Sequence, residues 1–480
     1  MSQSSTKLQV GYQKILDYFS LDLRSLALLR ICMAIVILAD LVLRFSDLSA
    51  HYTDYGVVPR SLVLSNLPPG QWSIFFFVDR PEILFVVNGL LAISLLLGFQ
   101  SRLVTIGCWI FLVSIQVRNP YVNDRGDMTL RLILFWSIFL PLGAKFSIDR
   151  VVQKLPRLPN HLVSIPALAY TLQICSIYVF AAIWKSNPDW IGKNGVYYAL
   201  SVEFFVTAFG QWLLNFPLLL SVANIFVLIL EWTGVLLLFA SSKLGGWKCR
   251  CWAIVLFISL HIGFGLTLEL GIFPWISVIS WLALIPSQVW DKFTQSIDLL
   301  PAKPQKLSII DSGIVCLLIA VMTWNIASFR NVNDLPYPFR WAMGSLSIWQ
   351  KWDMFAPLPL AENGWFVIPG TLRNSAEVNL FAEGQPITWE KPAVSSATYA
   401  NQRWRKYYAL LWIEWLIDKG NKSDQMEPYV MYVCRNWRDR HPESEKLVKL
   451  QVNFMQEDTL PNYQQTPILR RILKEHQCQG

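Results

Sequence analysis

Apolar stretches of membrane length recur along the chain as far as Phe329, and polar positions gather between them. Crossing a bilayer core takes about 20 mainly apolar residues. Windows of that size mark Leu26–Phe45, Ile83–Phe99, Leu103–Val117, Thr129–Ala144, Ile165–Trp184, Leu218–Ala240, Trp252–Leu268, Gly271–Pro286 and Ile309–Phe329. The pattern predicts about nine transmembrane helices, several of them short. Tyr197–Pro217 is apolar too, but Glu203, Gly210 and Gln211 interrupt it, which favours a re-entrant or interfacial segment over a tenth span.

Beyond residue 330 the period changes. Pro301, Pro304, Pro336 and Pro338 bracket the last span, as proline does at connections. Gly364–Leu372, Tyr429–Cys434 and Val448–Phe454 have the character of strands, the last alternating strictly between apolar and polar. Tyr399–Asp418 has helical spacing and is rich in tryptophan. The expected fold is an all-α polytopic membrane domain over 23–330, after a cytoplasmic segment 1–22. A smaller β-rich (α+β) extramembrane domain over 331–480 follows it.

Composition agrees with the pattern: 54% of residues are hydrophobic, 15% are charged, and the mean hydropathy is +0.37. These values exclude an ordinary soluble enzyme. The net charge of +8 belongs to the membrane part, where residues 1–330 carry 24 Lys+Arg against 17 Asp+Glu, while 331–480 carry 17 against 16. Basic loops orient a membrane protein and require no nucleic acid. With the N-terminus in the cytoplasm, the inner segments hold Lys7, Lys14, Arg24, Arg102, Lys145, Arg150, Lys154, Arg157, Lys243, Lys248, Arg250, Lys292, Lys303 and Lys306. The outer loops hold only Arg60, Arg80, Arg118, Arg125, Lys185 and Lys193. The C-terminal domain is therefore expected on the outer, periplasmic or lumenal, face.

The polar 1–22 segment lacks the apolar core of a cleaved signal peptide. The eight cysteines form no CxxC pair and imply no metal. Cys434 and Cys478 fall in the C-terminal region, where an oxidising compartment would permit a disulfide. Asn421-Lys422-Ser423 is a glycosylation sequon that matters only in a eukaryotic secretory pathway.

Ionisable groups in or beside apolar spans are costly, and here they are Arg30, Asp40, Arg44, Arg131, Lys185, Glu231, His261 and Glu269. Interhelical pairing accounts for most such groups. The polar-aromatic loops His51–Gly56, Arg118–Asp127 and Lys185–Trp190, with Glu269, all fall on the proposed outer side. That side could hold a site on a rigid helical scaffold, or the loops could serve to dock the C-terminal domain.

Tyr178-Val179-Phe180-Ala181-Ala182-Ile183-Trp184-Lys185 with Trp190 resembles a tyrosine-to-lysine-to-tryptophan motif of the vitamin K-dependent gamma-carboxylases. His261 to Phe273 is similar to that family's His-to-Gly-x-Phe segment. Val57-Val58-Pro59, the Arg118-to-Arg131 region, Phe146–Asp149 and Trp352-Asp353-Met354 match further in order. The resemblance covers roughly residues 20–355 and is to the HTTM superfamily, of which the carboxylases are the characterised members.

The resemblance implies that Lys185 is the base that deprotonates vitamin K hydroquinone or menaquinol, in a reaction coupled to carboxylation of glutamate or a related acceptor. A lysine at the end of an apolar span is partly desolvated, which favours the neutral amine a base requires. His261 is the second catalytic candidate. Tyr178 and Trp190, with Asp189, would frame Lys185, and Tyr178, Trp190 and Asp127 are the candidate cofactor contacts. The expected partners are membrane lipid and a protein or peptide substrate at the outer face.

Two departures stand out. The Arg118–Asp127 loop lacks the histidine that carboxylases carry there, leaving Asp124 or Asp127 in its place, and the C-terminal domain is shorter and unlike theirs. The competing expectation is a non-catalytic membrane scaffold that binds a partner. A transporter would call for paired broken helices in symmetric halves, a pattern this sequence lacks.

Overall fold

A computed structural model describes residues 18–152, 160–192, 194–294, 308–417, 425–460 and 463–478. Most of the 1–22 segment lies outside these residues. So do Lys154, Arg157, Lys193, Pro301, Lys303, Pro304, Lys306, Asp418 and the Asn421 sequon.

The N-terminal part is mostly helical: α1 (Leu23–Phe45), α2 (Pro81–Leu97), α3 (Ser101–Arg118), α4 (Arg125–Ser137), α5 (Ile165–Lys185), α6 (Pro217–Thr233), α7 (Trp247–Thr267), α8 (Phe273–Leu282) and α9 (Ile309–Ala327). A 3₁₀ segment extends α6 to Phe239. Among the described residues, six helices (α1, α3, α5, extended α6, α7 and α9) are long and apolar enough to cross a membrane.

Six of the nine expected spans thus correspond to helices of spanning length, and the other three are not confirmed. Helices α2, α4 and α8 fill the other three expected positions with 17, 13 and 10 residues. At 1.5 Å per residue the last two fall well short of a core about 30 Å thick. Apolar runs signal burial as much as spanning, and every residue of α4 from Gly126 to Ser137 is buried. Tyr197–Pro217 does not form a tenth spanning helix; short helices Gly195–Leu200 and Ala208–Leu213 flank a bridge between Val206 and Leu268.

Local chemistry sets the helix ends. Asp22 caps α1 by accepting from Arg24 N at 2.7 Å, and Ser164 caps α5. Capping boxes start α4 (Asp124 with Asp127) and α9 (Ser308 with Asp311).

The C-terminal region contains β1 (Glu362–Val367), β2 (Pro369–Leu372), β3 (Glu377–Asn379), α10 (Gln402–Ile417), α11 (Met426–Arg440), β4 (Leu447–Asp458) and β5 (Leu469–Gln477). The long β4 is central and every ladder is antiparallel. Strands β1 and β2 follow one edge of β4 in a shared register, with Glu362 opposite Asp458, Val367 opposite Asn453 and Gly370 opposite Leu450. Strand β5 takes the other edge, and β3 pairs with β2.

The expected strands at Gly364–Leu372 and Val448–Phe454 and the helix after Tyr399 are present. Tyr429–Cys434, expected as a strand, is instead the middle of α11. Its buried residues Met426, Tyr429, Val430 and Trp437 recur at helical spacing, so packing overrides the strand preference of a short Val/Tyr run. A disulfide joins Cys434 on α11 to Cys478 just beyond β5.

Two large cores divide the molecule. One fills the helical bundle. The other packs the sheet against α10 and α11 through Phe366, Tyr407, Trp412, Val452 and Phe454, and it takes in Val57, Val58, Val122, Val202 and Phe204 from interhelical connections. The C-terminal region therefore sits on one end of the bundle, held by the connections around residues 47–63, 119–125 and 186–206.

Candidate functional site

A cavity of about 680 Å³ lies beneath this junction, within the range of roughly 300–1,000 Å³ usual for ligand sites. Its walls are mainly apolar: Ile177 and Ala181 of α5, Val227 of α6, Phe264 of α7, Phe273 of α8, and Phe205 and Phe355 from connections. Tyr178, Ala181 and Lys185 are three and four residues apart on α5, so one helical face delivers all three.

Lys185, the last residue of α5, is buried and points at Glu231 of α6, with Nζ 2.5 Å from Oε1. Glu231 Oε2 is buried without a protein partner. The Lys185 ammonium lies 5.6 Å from the ring centroid of Trp190. The Trp190 indole donates to Phe355 O at 2.7 Å, which ties the lysine's surroundings to the C-terminal segment. Gly195 makes room for that indole, since a Cβ there would lie 2.2 Å from the ring.

Further along the same wall three side chains form a directional chain. The Trp281 indole N–H can only donate, and it donates to Tyr178 Oη at 2.6 Å. Tyr178 Oη is 2.8 Å from His261 Nε2. Satisfying the chain makes the tyrosine hydroxyl donate to Nε2, which assigns the histidine proton to Nδ1. Nδ1 is buried with no protein partner. The cavity thus offers a buried donor at His261 and a buried acceptor at Glu231.

Helix α10 closes the polar end. Gln402, Arg405, Lys406, Ala409 and Ile413 line the cavity at helical spacing, and Asp124, Arg125, Glu269 and Asp353 surround them. Arg125 pairs with Asp353 at 2.5 Å, and Arg405 with Glu269 at 3.8 Å. Burial, reinforced by Asp127, pushes the Asp124 carboxyl up to about 6 although it caps α4. Burial lowers the Lys406 amine, and Arg125 adds to the effect.

The structure brings Lys185, His261, Tyr178 and Trp190 together. It places Asp127 elsewhere, in a buried cluster where Arg403 of α10 reaches Asp40 at 2.6 Å and Asp127 at 2.5 Å. Arg44 completes the cluster by pairing with Asp40 at 2.7 Å and with Asp127. Of the other costly groups, Arg30 donates to Phe146 O at 2.5 Å, and Arg131 to Gln116 Oε1 at 3.0 Å and Trp349 O at 3.1 Å. Both act in packing. Sequence reasoning missed Gln402, Arg405 and Lys406, whose signal was a polar stripe on a helix otherwise dominated by aromatics.

A family model, the HTTM domain, matches residues 18–290, more than half of the chain. This chain belongs to the HTTM family. Among curated proteins and solved structures, no match is found. The HTTM match contains Tyr178, Lys185, Trp190, Glu231 and His261 but ends before α9, the sheet and α10. The cavity of this HTTM protein is therefore closed by residues outside the family domain.

Proposed function

We propose that this HTTM protein is a membrane enzyme that uses Lys185 as a base on a hydroquinone, in the manner of the vitamin K-dependent carboxylases. The observation that carries the reading is the buried Lys185–Glu231 pair in an apolar cavity that also holds the unpartnered Nδ1 of His261. Vitamin K hydroquinone or menaquinol suits these residues: the aromatic and aliphatic walls match its ring and isoprenoid tail, and the two orphaned polar atoms match its hydroxyl groups. When bound, such a group supplies the reducing equivalents for oxygen chemistry.

The chain's own part is to hold and move protons. Lys185 can take a proton as the neutral amine, and a proton shared with Glu231 Oε1 gives the amine a route to that state without leaving a net charge in the apolar cavity. His261 Nδ1–H can orient an oxygen atom, its tautomer fixed by Tyr178 and Trp281. Carboxylation of a protein glutamate is one outcome of this chemistry, and another quinol-linked reaction is the second. The competing reading is a scaffold in which the pair is structural.

The test is aerobic oxidation of vitamin K hydroquinone or menaquinol to the epoxide by purified full-length protein. Wild type should form epoxide. Lys185→Ala should not, and Lys185→Arg should keep the charge pair and the fold yet stay inactive, because a guanidinium does not deprotonate. Absence of both binding and turnover in folded wild type overturns the reading in favour of the scaffold.

A further inference from the structure

Four cations and four anions line the cavity, and three ion pairs leave Asp124 and Lys406 outside them. Lys185 is matched by Glu231, Arg125 by Asp353 and Arg405 by Glu269. Asp124 is engaged in capping α4, accepting from Gly126 N at 2.7 Å and Asp127 N at 3.2 Å. Lys406 has no hydrogen bond or ion pair among the described residues. One turn earlier on the same face of α10, both amide atoms of Gln402 are buried and unpartnered. An ammonium with no bonded acceptor and an amide with no partner thus sit at the polar end of a mainly apolar cavity.

The cavity also has a side open towards the bilayer. Its lining includes Phe226 of α6 and Ser259 of α7, and both are exposed on the flank of the bundle. An occupant that enters there comes from the lipid phase.

We propose that the cavity binds a single-chain lipid carboxylate, a fatty acid, with its head on Lys406 and Gln402 and its hydrocarbon among the apolar walls. Lys406 and Gln402 both lack a bonded acceptor, and a carboxylate can accept from the ammonium and the amide together. A doubly charged head would face Asp124, Glu269 and Asp353 with nothing left to neutralise it. The inference rests on Lys406 and Gln402 rather than on Lys185 and does not depend on hydroquinone chemistry.

The test measures binding of radiolabelled oleate to the full chain in phosphatidylcholine nanodiscs, with methyl oleate and phosphatidylglycerol as competitors. Saturable binding is expected, with methyl oleate weaker by about ten- to a hundredfold, as loss of a charge-assisted contact implies. Lys406→Met should lose a similar factor for oleate and none for methyl oleate, while Lys406→Arg should stay near wild type. Equal competition by methyl oleate, or by phosphatidylglycerol, overturns the proposal. So does a folded Lys406→Met that binds oleate like wild type. The ester comparison on wild-type protein decides the matter even where a variant fails to fold.

Discussion

A lysine and a glutamate 2.5 Å apart in an apolar cavity are bound by energies that single substitutions disturb unequally. Removing one member of a buried pair strands the other and costs about 3–5 kcal/mol, whereas replacing both with apolar residues of similar volume is often neutral. Glu231→Ala and Lys185→Ala should therefore each lower the unfolding temperature clearly. Lys185→Met/Glu231→Met should recover most of that loss. If Lys185 is the base, both variants that lack it are inactive in hydroquinone oxidation, and the stable double variant separates chemistry from folding. A double variant that still oxidises hydroquinone would remove Lys185 and Glu231 from the mechanism. The same pair shows what the sequence makes legible. Both residues stand out as ionisable groups in apolar runs, but their partnership links positions 46 apart on two helices, and no local pattern encodes it.

Helix α10 does two jobs on neighbouring faces. Gln402, Arg405 and Lys406 close the cavity, while Arg403 enters the bundle and meets Asp40 of α1 and Asp127 of α4. Arg44 shares both carboxylates, so two arginines and two aspartates balance in a fully buried cluster. Arg403→Ala should leave those carboxylates facing Arg44 alone, costing about 3–5 kcal/mol. Amide exchange should then rise in α10 and around Trp190 while α3 stays protected. Unchanged exchange in α10 would mean that apolar packing alone seats the helix. This arrangement also explains why Asp127 reads as a site residue from sequence. Its loop is polar and its neighbour Asp124 does line the cavity, yet the partner that commits Asp127 to structure lies 276 positions away. Elements were more legible than their roles. Apolar windows of membrane length located α1, α5 and α7 closely, whereas the short α4 and α8 also read as spans because burial inside a bundle leaves the same apolar signature as lipid exposure.

The whole molecule sorts its connections onto two ends. At one end Arg24 pairs with Asp291 at 2.9 Å, Arg250 Nε donates to Leu284 O at 2.8 Å and Arg102 Nε to Ile138 O at 3.2 Å. These are the connections that the basic-residue pattern assigns to the cytoplasm. At the other end Asp47, Tyr55 and Glu269 contact α10 and α11. Segregated basic loops set orientation in the membrane, and a Cys434–Cys478 disulfide persists only in an oxidising compartment. If the basic loops face the cytoplasm, the C-terminal region lies on the other side, where that disulfide would be kept, and labelling tests this placement. In intact cells or sealed vesicles, an impermeant maleimide should therefore label Cys434 and Cys478, and only after reduction with an impermeant reductant. Cys249 and Cys251, free thiols at the basic end, should react only after permeabilisation. The inverse pattern would place the C-terminal region in the cytoplasm, where glutathione would keep those two thiols reduced. The cavity's polar end would then open to cytosolic rather than exported substrates. Orientation therefore decides which acceptor the Lys185 chemistry could reach.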